Sequence, residues 1–70
     1  MERRSVTSSN IASIGYDLQN STLEIEFKSG AVWQYMNFPE FFWSEFDSCE
    51  SHGKYFHANI KNQYPESRVG

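Results

Sequence analysis

The sequence predicts an α+β fold in which a three-stranded antiparallel β-meander is followed by two α-helices packed on one face of the sheet (βββαα). Two observations carry the prediction. Apolar residues recur at every second position up to Tyr35 and at helical spacing beyond Pro39, the periods of half-buried strands and of amphipathic helices. Between the two regimes stand Gly30, which supplies a turn, and Pro39, which closes the last strand.

Seventy residues make one small domain, a size at which an apolar core alone leaves a margin of about 3–5 kcal/mol. With Cys49 as the only cysteine there is no internal disulfide, and its surroundings lack a structural-zinc spacing. Aromatic residues, 17% of the chain, are the remaining source of stability. Each buries roughly 150–250 Å², in the domain's own core or against a second subunit. No run approaches the ~20 apolar residues of a membrane span, and Met1-Glu2-Arg3-Arg4 is followed by polar residues rather than a signal region. The composition reads as cytoplasmic, with no membrane partner.

In chain order, residues 1–9 have no apolar period and read as a mobile arm. The domain spans 10–64, and 65–70 form a tail. Ile11–Tyr16 alternates, with Ala12, Ile14 and Tyr16 on one face and Ile11, Ser13 and Gly15 on the other. Asp17-Leu18-Gln19-Asn20-Ser21 is turn-forming, because Asp, Asn and Ser side chains bond back to their own backbone. Thr22–Phe27 is the clearest strand, with Leu23, Ile25 and Phe27 facing inward and Glu24 and Glu26 facing water.

The Lys28-Ser29-Gly30 turn admits two registers. A two-residue Ser29-Gly30 turn pairs Phe27 with Val32 and puts Trp33 and Tyr35 on the face of the glutamates. A three-residue loop with a glycine bulge pairs Ile25 with Trp33 and Leu23 with Tyr35, and the aromatics become core. A slip of one residue exchanges the faces. The second register is favoured because burying each aromatic stabilises a core-poor domain by roughly 2–3 kcal/mol.

Pro39 opens the first helix, with Asn37 as a candidate cap. Phe42, Phe46 and Cys49 recur at i, i+4, i+7 and form its inner stripe, leaving Phe41 exposed. Ser51 caps a second helix running from Gly53 to Tyr64, with Phe56 and Ile60 inward. Lys54, His57 and Lys61 share another face as a short basic stripe, bordered by Tyr55 and Asn59. Gly53 near the helix start signals that a neighbouring element passes close.

Taken together, several segments resemble the KTSC domain, a short family found at the C-terminus of some lysyl-tRNA synthetases and as free-standing small bacterial proteins. They are Ile14-Gly15-Tyr16-Asp17, Leu23-x-Ile25-x-Phe27-x-x-Gly30, Trp33-Gln34-Tyr35 with Pro39 four positions on, Ser51-x-Gly53-Lys54-Tyr55-Phe56 and Ile60-Lys61-x-x-Tyr64. The family centre is usually Tyr-x-Tyr. Here Trp33 stands first, which keeps a stacking surface without a phenol hydroxyl. The resemblance implies a domain of uncharacterised function for which RNA binding is suggested by the synthetase association.

Net charge is −3, spread unevenly. Residues 17–50 hold seven carboxylates against Lys28, whereas 51–70 hold Lys54, Lys61 and Arg68 against Glu66. An anionic partner meets the second region, but three cations are a thin endowment for nucleic acid. Candidate binding residues are therefore Trp33 and Tyr35, as stacking surfaces, and Lys54, Tyr55, His57 and Lys61, with RNA as the partner. The rival reading is a protein-interaction or homodimerising module using Phe41, Trp43 and an exposed sheet edge. Cys49, His52 and His57 lack a third triad member and a zinc pattern, so no enzyme, cofactor or metal site is assigned.

Overall fold

Alternation makes Thr22–Phe27 a central strand: Leu23 and Ile25 are fully buried on one face, and Glu24 and Glu26 occupy the other. A computed structural model describes residues 1–70 and builds five antiparallel strands around it. These are β1 (Arg4–Ser5), β2 (Ile11–Asp17), β3 (Thr22–Phe27), β4 (Val32–Tyr35) and β5 (Glu66–Arg68), each beside its sequence neighbour. Helix α1 (Glu40–Ser48) and the short helix α2 (His52–Tyr55), continued as a π-helical turn over Phe56–Ile60, lie between β4 and β5 in the chain. The three-stranded meander is thus widened by one strand on each side. The segments read as arm and tail supply these edges, in strands too short to show a period.

The turn resolves to the three-residue register. Phe27 N–H donates to Ala31 at 2.9 Å, Gly30 N–H donates to Phe27 at 2.9 Å, and Gly30 takes φ +99°. Ile25 pairs with Trp33 and Leu23 with Tyr35. Tyr35 is consequently buried, and Trp33 is half-buried against the core. The β2–β3 loop is closed as its composition predicts, with the Asp17 carboxylate accepting from Gln19 N–H at 3.0 Å and from the Asn20 side chain at 2.8 Å. That Asn20 side-chain bond holds the Asp17 carboxyl below its ordinary value.

Two expectations about strand faces are corrected. A bulge between Ile11 and Ser13 shifts the β2–β3 register, so Ile11 turns inward with Ile14 rather than outward with Ser13. Glu24 does not face water: it is 8% exposed, ion-paired to Arg3, and accepts from Gln34 Nε2 at 2.9 Å. Ser13 is buried beside it, donating to Glu26 at 2.9 Å and accepting from Arg3 Nε at 3.0 Å. Around Ser13, Gly15 and Glu24 the second face of the sheet is therefore a hydrogen-bonded layer under the N-terminal segment.

The core joins Ile11, Ile14, Leu23, Ile25 and Tyr35 of the sheet to Phe38, Phe46, Phe56 and Ile60. Helix α1 starts at Pro39, whose carbonyl accepts from Phe42 N–H at 3.0 Å and Trp43 N–H at 3.1 Å. Asn37 does not cap it, being held at φ 60° in the turn before it. The helix faces the sheet through Phe46 and Trp43, the latter stacked on Tyr16 at 5.4 Å and 8°. Phe42, expected inside, is 39% exposed because this rotation carries it to the rim, while Phe41 is 72% exposed as expected.

Ser51 caps α2, its hydroxyl accepting from Lys54 N–H at 3.3 Å. The second helix nevertheless stops at Ile60 rather than Tyr64. Lys61 N–H reaches back five residues to Phe56 at 2.9 Å, Lys61 itself has left helical backbone at ψ 124°, and Asn62 takes φ 63°. Asparagine tolerates this left-handed geometry and ends helices much as glycine does.

Candidate functional site

A groove of about 570 Å³ runs between the β1–β2 connection and the start of α2. Thr7, Ser8, Ser9 and Asn10 form one wall, and Glu50, Ser51, Gly53, Lys54, His57 and Ala58 form the other. Gly53 makes the approach possible. A Cβ there would lie 3.1 Å from Asn10 Oδ1 and 3.4 Å from Ser8 Oγ, so the connection packs directly on the helix. The wall is internally braced, with Ser8 Oγ donating to Asn10 Oδ1 at 3.3 Å and accepting from Ile11 N–H at 3.4 Å.

Lys54 and His57 are exposed and belong to neither of the domain's two ion pairs, Arg3–Glu24 and Arg4–Asp47. Both are free to meet an anion. The other surface depression, about 720 Å³, is lined by Arg3 and Arg4 beside Trp43 and Tyr16. Its guanidinium groups are already committed: Arg3 to Glu24, and Arg4 to Asp47 through bonds of 3.2 Å to Oδ1 and 2.8 Å to the backbone carbonyl. Glu2, Asp17 and Asp47 add negative charge there. The first groove sets a single carboxylate, Glu50, beside Lys54 and His57, so for an anionic ligand it is the better site.

The six residues singled out from sequence are not brought together. Lys54 and His57 share the groove. Lys61 lies beyond the helix end and outside it, because the chain turns before completing the expected stripe. Tyr35 has its ring edge-on to Phe56 at 5.8 Å, and burial followed by the nearby Glu66 carboxylate pushes its phenol up to about 12. It is a core residue, and Trp33 is half-covered beside it. Tyr55 is a strut between helices, its ring 5.3 Å from Phe46 and its hydroxyl donating to Glu45 at 2.6 Å. Burial and that bond push its phenol well up.

Sequence reasoning missed the Thr7–Asn10 wall, whose signal lay in Gly53 rather than in the wall itself. It also gave no role to His52, which is 8% exposed, edge-on to Phe46 at 5.4 Å, and has neither imidazole nitrogen hydrogen-bonded. Such a group costs desolvation without return. His52→Phe is therefore expected to raise the unfolding free energy by about 1 kcal/mol, seen as a higher denaturant midpoint at unchanged m-value. Cys49 is half-buried, and burial pushes its thiol up, away from the thiolate that nucleophilic chemistry needs.

The KTSC domain family model matches residues 7–64. An uncharacterised protein of Stutzerimonas stutzeri (strain A1501) is 34% identical over 64 residues, covering 91% of this chain and 90% of its own length. A lysine–tRNA ligase of Nostoc sp. (strain PCC 7120) is 39% identical over 49 residues, 70% of this chain, and the match spans only 9% of the ligase's length. The crystal structure of a KTSC domain protein from Yersinia pestis superposes with a TM-score of 0.95 at 39% identity, covering 99% of this chain and 97% of that one.

Proposed function

Because the chain belongs to the KTSC domain family and is similar to a stretch of lysine–tRNA ligases, we propose that it is a non-enzymatic accessory module that binds the phosphate backbone of RNA weakly. The observation that carries the reading is the groove itself. It sets two unpaired cationic or protonatable side chains, Lys54 and His57, opposite a row of hydroxyl and amide groups. Phosphate contacts are made by just such groups and position a strand without reading its sequence. The ligases' name favours RNA among the polyanions this chemistry would accept. A cytoplasmic setting goes with the reading and suits one free cysteine.

Two or three phosphate contacts give a slope of log affinity on log salt of only about −1.4 to −2 on a single strand. The net charge of −3 opposes binding further. An amide-shift titration with short single-stranded RNA tests this. Shifts are expected at Thr7–Asn10, Ser51, Lys54 and His57, fading as salt rises from about 50 to about 200 mM, and Lys54→Glu should abolish them. Absence of shifts at the lower salt would overturn the proposal. Shifts centred on the Trp33 indole would instead indicate base stacking.

A further inference from the structure

Strand β5 is the last of the sheet and leaves one edge without a neighbouring strand. In β4–β5, Gln34 lies opposite Ser67, while Val69 N–H donates to Val32 at 2.8 Å and Met36 N–H donates to Pro65 at 2.9 Å. Antiparallel ladders alternate the direction of their backbone groups. The Pro65 carbonyl, Ser67 and the Val69 N–H therefore turn to β4, and Glu66 and Arg68 turn their N–H and C=O outward. All three β5 residues are exposed.

The charge pattern of this strand is self-complementary. Glu66-Ser67-Arg68 read antiparallel to itself about Ser67 places Glu66 of one copy opposite Arg68 of the other, twice. The same register makes those two positions the hydrogen-bonded pairs, so four backbone bonds form between the copies around a Ser67–Ser67 centre. Both charged side chains stand on the sheet face of their β4 partners Tyr35 and Trp33, so each carboxylate meets a guanidinium on one side of the sheet. Arg68 Nε is bonded to the Gly70 carbonyl at 2.8 Å, which leaves its terminal nitrogens for the carboxylate. The opposite edge offers less: β1 has two residues, and Arg4 is drawn onto α1 through Asp47.

We propose that two copies of the chain associate through β5 about a two-fold axis at Ser67, joining their sheets into one of ten strands. Charged residues on an edge normally repel foreign strands; here a slip that sets Glu66 against Glu66 or Arg68 against Arg68 is disfavoured, and the Ser67-centred register is not. A three-residue ladder buries less than the ~1,000 Å² of a stable interface, so the dimer is transient and forms at high concentration.

Sedimentation equilibrium up to about 1 mM protein, a concentration sensitive to association near −4 kcal/mol, tests it alongside the concentration dependence of the Glu66 and Arg68 amide shifts. The native chain is expected to self-associate. Glu66→Arg alone and Arg68→Glu alone set like charges opposite each other and should weaken association at least tenfold. The double exchange Glu66→Arg/Arg68→Glu restores both pairs and should return it to within about threefold of the native chain. An equimolar mixture of the two single variants should associate where neither does alone. A native chain that stays monomeric throughout, or single reversals that associate like it, would overturn the proposal, as would a folded double exchange and mixture that both remain monomeric.

Discussion

Phe46→Ala is expected to leave much of the population unfolded at 25 °C. Phe46 is fully buried, and its ring meets Trp43 at 6.5 Å, His52 at 5.4 Å and Tyr55 at 5.3 Å. It is the side chain that fastens α1 to α2. Truncating a buried phenylalanine costs about 3–5 kcal/mol, the lost transfer energy plus the cavity left behind. A domain of this length has about 3–5 kcal/mol in total. Far-UV circular dichroism in water should show most of the ordered signal gone, and urea titration should lack a native baseline. A loss below about 1 kcal/mol would mean that the helices do not share a core with the sheet. Phe41→Ala, at a site 72% exposed, is the matched control and should change stability by no more than about 0.5 kcal/mol.

Gly15→Ala is expected to strip the N-terminal strand from the sheet. A Cβ at Gly15 would collide with the Glu2 carbonyl oxygen and lie 3.0 Å from Arg3 Cγ. The first contact is with backbone, so the segment must lift as a whole. Lifting it withdraws Arg3 from Glu24 and Ser13, leaving a carboxylate that is 8% exposed with Gln34 as its remaining partner. Removing one partner of a buried polar group costs about 1–3 kcal/mol, and the β1–β2 pairing is lost as well. Denaturant unfolding gives the first effect. Hydrogen exchange gives the second, because Val6 N–H, bonded to Ala12 at 3.2 Å, should lose protection. Arg3→Ala added to Gly15→Ala should then cost little more, since both act on one network. Unchanged stability with a protected Val6 amide would show that the segment has room to yield.

What the sequence disclosed follows from how far each cause reaches along the chain. The strand Thr22–Phe27, the register at Gly30, the first helix and the Ser51 cap all depend on residues within a few positions of one another, and each was legible. The burial of Glu24 was not, because its partner Arg3 is 21 residues away in a segment with no period of its own. Ile11 misled by strict alternation, which a single bulge residue overturns. At the candidate site, Lys54 and His57 were found by helical spacing that holds within α2 and its π-helical continuation. Lys61 was lost because a left-handed Asn62 ends that spacing early. The wall opposite them announced itself only through a glycine on the helix it touches.

Strands β1 and β5 occupy opposite margins of the sheet, with three strands between them. Four inter-strand gaps of roughly 4.8 Å separate them, about 19 Å in all. The chain thus joins the sheet at one margin and ends its strands at the other. In a longer chain, segments joined through these two strands would enter and leave the sheet about 19 Å apart.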